Sequence, residues 1–141
     1  GTLHLIRMSR WRARHTLSDP LVWTLHLSYL WVPVGLGLIG LSGLLENLPQ
    51  SAGLHALTAG AMGGMVLAVM TRATLGHTGR ELKADLPTAL IYWLTFFAAA
   101  TRVGAGLGLD HGFMLTLSAV LWCAAFGLFA LRYGPVLLSA R

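Results

Sequence analysis

Residues 52–71, AGLHALTAGAMGGMVLAVMT, run for twenty positions without a Lys, Arg, Asp or Glu. Coiled as a helix at 1.5 Å per residue, they reach about 30 Å, the thickness of a bilayer's hydrocarbon core. Three further stretches read the same way, so helices are expected over about 21–45, 52–74, 88–109 and 113–133. A soluble helix of that length carries a charged stripe opposite its apolar one, and none of these does. The expectation is an all-α, polytopic membrane protein. Its four transmembrane helices form one bundle in a single domain, residues 1–141, with the lipid bilayer as its first partner.

Composition agrees. Of 141 residues 55% are hydrophobic and 11% charged, with a mean hydropathy of +0.67, where a soluble domain carries about 25% charged residues. The net charge of +5 therefore reads as topology. No stretch interleaves basic and aromatic residues on a polar platform, so nucleic acid is not an expected partner. Cys123 lies inside the fourth apolar stretch and reads as a small packing residue. The segment up to Pro20 is basic with scattered apolar residues and reads as no signal peptide.

Nine of the ten basic residues fall on one side of this arrangement. Arg7, Arg10, Arg12 and Arg14 precede the first span; Arg72, Arg80 and Lys83 follow the second; Arg132 and Arg141 close the fourth. The other side holds Glu46 and Asp110, with Arg102 near a helix end. The positive-inside rule then puts both termini and the loop 76–85 in the cytoplasm. Ser18, Asp19 and Pro20 make a cap and first turn for the first span, with the basic arm lying outside the bilayer. The fourth span is expected to end around Tyr133, Gly134 and Pro135.

At 100° per residue, His55, Thr58, Met62, Met65, Val69 and Arg72 share one face of the second span. Gly60 and Gly64 lie on the opposite face, spaced for close approach of another helix. The methionines read either as gap fillers or as thioether ligands beside an imidazole that needs a partner in lipid. In the first span His26, Tyr29, Pro33, Gly37 and Gly40 share a side. His26 there either bonds Tyr29 or offers itself as a ligand. Arg102, set among Thr95, Ala98, Ala99, Ala105 and Gly106, should face a neighbour rather than lipid. Its two readings are an ion pair with Asp110 or Glu46, and a hold on an anionic group. The stripe Trp122, Phe126, Phe129 and Tyr133 reads as helix packing.

The run 55–80, HALTAGAMGGMVLAVMTRATLGHTGR, resembles the signature of the NnrS family, and 20–38, PLVWTLHLSYLWVPVGLGL, resembles the helix that precedes it there. The resemblance implies a multi-pass protein of the bacterial inner membrane that contains haem b and copper and acts in the response to nitric oxide and nitrosative stress. Family members are similar to twelve-helix proteins, so these four helices read as a C-terminal third whose partners include the remaining helices and nitric oxide or a related small molecule.

The cofactor-binding candidates are His26, His55, His77, Arg72, Arg80 and Arg102, the arginines as holders of haem propionates, with Arg72 and Arg80 alternatively anchoring the helix end to anionic lipid headgroups. Iron accepts imidazole, and copper accepts imidazole and thioether, so His26, His55, His77, Met62 and Met65 are the metal candidates. His55 and His77 stand roughly 30 Å apart along one helix and belong to different sites. No carboxylate pair, activated nucleophile or phosphate-cradling loop stands at a useful spacing, so no enzyme is read here. A cofactor-free transporter or channel segment, and a structural or assembly subunit, are the alternatives.

Overall fold

The computed structural model describes residues 1–11 and 19–139. Arg12, Arg14, His15, Ser18 and Arg141 therefore lie outside the described residues. The rest forms five helices and, among the described residues, no strand: α1 Thr2–Ser9, α2 Pro20–Ser42, α3 Gln50–His77, α4 Leu86–Gly106 and α5 His111–Ser139. The last four are each long and apolar enough to cross a membrane, as expected.

Local chemistry sets the ends. The Asp19 carboxylate accepts from the Leu21 amide at 2.9 Å, with Pro20 in the first turn. This satisfies one of the orphan donors at a helix start. Helix α2 stops at Ser42, three residues short of the expected end, where Leu44 and Leu45 turn back to the Leu41 carbonyl. Helix α3 is closed by Gly79 at φ +66°, a left-handed backbone that glycine adopts freely. Asp85 caps α4 through the Thr88 amide at 3.1 Å and hydroxyl at 2.6 Å. Helix α5 does not end at Pro135 but runs through it to Ser139. Proline there costs a hydrogen bond and invites a kink without ending the helix.

The helices meet through their small residues, because lipid gives no hydrophobic drive for one helix to seek another. Gly60 of α3 lies against Trp31 of α2, and Gly64 against Ser28, so the glycine face reads as expected. Near the other end of α2, Gly35 and Gly53 approach backbone to backbone. A Cβ on Gly53 would stand 2.8 Å from the Gly35 carbonyl. Gly106 of α4 meets Ala52 of α3 in the same manner. Large apolar side chains such as Val66, Val69, Phe97, Val120 and Leu131 point outward. Water would make of them an aggregation surface; lipid solvates them.

Helix α1 departs from expectation. Residues 1–11 do not stay clear of the span but fold back along α2. The Cβ position of Gly1 lies 3.4 Å from the Pro33 carbonyl, and His4 Nδ1 lies 2.7 Å from the Tyr29 hydroxyl. Trp11 then packs on Tyr29 and edge-on to His26, at centroid distances of 4.9 and 5.1 Å. The reason is the composition of the first eight positions. Leu3, Leu5 and Ile6 are exposed apolar side chains suited to lipid, and His4 finds a hydroxyl inside it.

At the opposite edge α4 and α5 are clamped. Arg132 reaches Asp85 at 2.7 Å, and Thr88 shares a 2.6 Å hydrogen bond with the Tyr133 hydroxyl. Burial would raise the Asp85 carboxyl. The hydrogen bonds from Thr88 and Arg132, with the Arg132 charge, outweigh it and bring the carboxyl to about 2.

Candidate functional site

The central element is α3, and it is irregular. From Ala56 to Met62 its backbone is π-helical, a wider coil than the α-helix on either side. Such turns are rare and concentrate at functional sites. None of His55, Thr58, Met62, Met65, Val69 and Arg72 is buried, whereas Gly60 and Gly64 are, so the side inferred from periodicity stays open along the helix. His55 and Thr58 line one groove, whereas Val69 and Arg72 line another, shallower one. Met62 is 61% exposed and Met65 half-buried, and neither borders either groove.

The first groove has a volume of about 430 Å³, within the range of small-molecule and cofactor pockets. Three helices build it. Helix α3 contributes His55, Thr58 and Ala59; α4 contributes Arg102; α5 contributes Ser118, Ala119, Trp122 and Cys123. The Thr58 hydroxyl donates to the Leu54 carbonyl at 2.8 Å, which holds it within its own helix. Ser118 donates to the Ala98 carbonyl at 2.8 Å, so the seam beneath Arg102 is tied across α4 and α5. The Trp122 indole lies over Gly63 and forms one wall.

Arg102 faces a neighbour, but not the expected carboxylates. Among the described residues the one ion pair joins Arg132 and Asp85. Asp110 instead accepts from the Phe113 amide at the start of α5. The guanidinium thus borders the groove without a protein counter-ion among the described residues. An imidazole, a guanidinium and an indole wall suit a planar anionic ligand with a metal at its centre. That donor set fits a haem.

The other candidates lie apart. His26 does not bond Tyr29. Its Nδ1 lies 3.0 Å from the Val22 carbonyl. A carbonyl only accepts, so Nδ1 is the donor of this bond; in a neutral imidazole that leaves the lone pair on Nε2, the arrangement common in metal-bound histidines. His77 ends α3 on the far side of the bundle from His55, exposed, and Arg80 is exposed in the loop beyond it. No group of three or more His, Cys, Asp or Glu side chains is placed to hold a metal among the described residues. His55 and Arg102 therefore meet on one groove, and His26, His77, Met62 and Met65 lie apart from it.

Three side chains take roles that the sequence pattern does not assign them: Ser118 and Cys123 line the groove, and His4 is the partner of Tyr29. Small residues at 119 and 123, one turn apart, are the available signal for a gap in α5. Eight residues are too few for a hydropathy pattern to signal that α1 folds back.

A family model described as NnrS protein matches residues 1–141, the whole chain. No match is found among curated proteins or among solved structures.

Proposed function

The chain belongs to the NnrS family, and from that premise we propose that it is the membrane-embedded part of a haem- and copper-containing nitric-oxide response protein, with its haem seat in the His55–Arg102 groove. The observation that carries the reading is the meeting of His55, Arg102 and Trp122, from three different helices, on one groove of about 430 Å³. When bound, haem supplies an iron that takes nitric oxide as a ligand. His55 offers an imidazole nitrogen to that iron. Arg102 gives a propionate a charge-assisted hydrogen bond, and Trp122, Ala59 and Ala119 exclude water from the ring faces.

Copper is read as lying elsewhere. His26 presents a lone pair at Nε2, and His77, Met62 and Met65 supply further soft or borderline donors. These stand apart within the bundle, so the remaining helices of a longer protein complete the set. The distribution of basic residues favours the loop 76–85 and the end of α5 on the cytoplasmic side and a place in the bacterial inner membrane.

Pyridine-haemochrome analysis and metal content of detergent-purified protein test the reading. Haem is expected, with a Soret band that weakens or shifts in His55→Ala and Arg102→Gln. A colourless protein whose metal content is nil sinks it.

A further inference from the structure

The second groove sits at the end of α3 where the basic residues gather. Gly79 turns the chain left-handed, and the Arg80 amide donates to the Leu75 carbonyl at 3.0 Å. The loop therefore folds back over the helix it has just left. Leu82 comes to rest beside Gly76, its Cδ2 3.9 Å from where a Cβ would stand. Between them lies a groove of about 340 Å³ lined by Val69, Arg72, Ala73, Gly76 and Leu82.

Its chemistry is graded along the helix. Arg72 is exposed and stands five residues before the end of α3, about 7 Å below it. A helix that ends at the membrane surface carries a residue at that distance near the boundary between headgroups and acyl chains, roughly 5–10 Å in. One turn deeper, Val69 is 59% exposed, and Leu82 flanks it at 47%. Cation above and apolar wall below follow the order of a phospholipid's phosphate and first methylenes.

Charge favours an anionic lipid. Arg80 and Lys83 stand in the same loop, against Glu81. The other loop carboxylate, Asp85, is already held by Arg132 at 2.7 Å. No ion pair joins Arg72 to a carboxylate among the described residues. We propose that this groove seats one anionic phospholipid, its phosphate on Arg72 and its acyl chain along Val69, Ala73 and Leu82. The site is separate from the His55–Arg102 groove and stands whether or not that groove holds haem.

The test is native mass spectrometry of the full chain released from detergent with phosphatidylglycerol or phosphatidylcholine added. One phosphatidylglycerol is expected to be retained about fivefold better than phosphatidylcholine, the discrimination of about 1 kcal/mol that one basic residue gives at an anionic surface. Arg72→Gln should abolish the preference, and Arg72→Lys should keep most of it. Gly76→Leu keeps the charge and fills the groove, so it should also lose the adduct. It decides the matter if Arg72→Gln does not fold. The proposal is overturned if Gly76→Leu binds as the unaltered chain does, or if Arg80→Gln and Lys83→Gln cost as much as Arg72→Gln, which is diffuse attraction only. It is equally overturned if Arg72→Gln keeps the lipid preference and loses the Soret band, which would give Arg72 to haem.

Discussion

The indole of Trp122 on α5 lies directly against the backbone of Gly63 on α3, so that even a methyl group on Gly63 would overlap its ring. Trp122 also lines the His55–Arg102 groove, so this contact fixes the position of one of its walls. Gly63→Ala should push the indole into the groove. We expect a stability loss of about 1–3 kcal/mol, typical of an added methyl in a packed interior, together with weakened haem retention. Shrinking the ring in Gly63→Ala/Trp122→Phe should restore retention. Haem content of the three proteins after gel filtration measures it.

A second pair of glycines tests whether backbone approach holds the bundle together. Gly53→Ala would set a methyl 2.8 Å from the Gly35 carbonyl and 2.9 Å from the Ile39 amide nitrogen, atoms that cannot swing aside. Gly40 on the same helix as Gly35 has nothing within 4 Å of its Cβ position. Gly53→Ala should lower stability by about 1–3 kcal/mol, and Gly40→Ala should leave it within about 0.5 kcal/mol. Thermal midpoints in one detergent compare them. Equal midpoints would place the weight of packing elsewhere.

The clamp of Asp85 on Arg132 and Thr88 makes stability sensitive to acid. The carboxyl is lowered from 3.8 to about 2, so the unfolded chain binds this proton more readily than the folded one. The contribution is therefore complete above about pH 4 and fades as pH falls toward 2. Asp85→Asn should lower the thermal midpoint at pH 6 and flatten its dependence on pH between 4 and 2. An unchanged slope in the variant assigns the acid sensitivity to other groups.

Helix α1 rests on α2 through few contacts, chief among them the 2.7 Å pair of His4 and Tyr29. Tyr29→Phe removes the hydroxyl and leaves His4 without that partner in lipid. Faster hydrogen exchange of amides in Thr2–Ser9, with α3 to α5 unaffected, is the expected outcome. Protection equal to that of the unaltered chain would show that Trp11 and the apolar side chains suffice.

How much of the molecule is legible in its amino-acid order depends on which physical signals are local. The four spans are readable because twenty apolar residues in a row leave few other folds, and the Gly60–Gly64 face because small residues four apart mark a helix contact. The π-helical turn at Ala56–Met62 is not readable in advance. Periodicity shows no such turn. The position of α1 is hidden because eight residues fall below any hydropathy window. For Arg102, sequence shows depth but not bearing: Asp110 lies at a similar level, yet its carboxylate caps α5. The meeting of Arg102 with His55 and Trp122 depends on the rotation of three helices at once, which only their packing determines.

The central claim is that His55 offers its imidazole to a haem iron in the groove it shares with Arg102. It is tested most directly by the optical spectrum of His55→Gly with and without added imidazole. The account predicts a Soret band in the unaltered protein, its loss or shift in the variant, and its return when imidazole fills the vacated space. A spectrum in His55→Gly identical to that of the unaltered protein, and indifferent to imidazole, would contradict it.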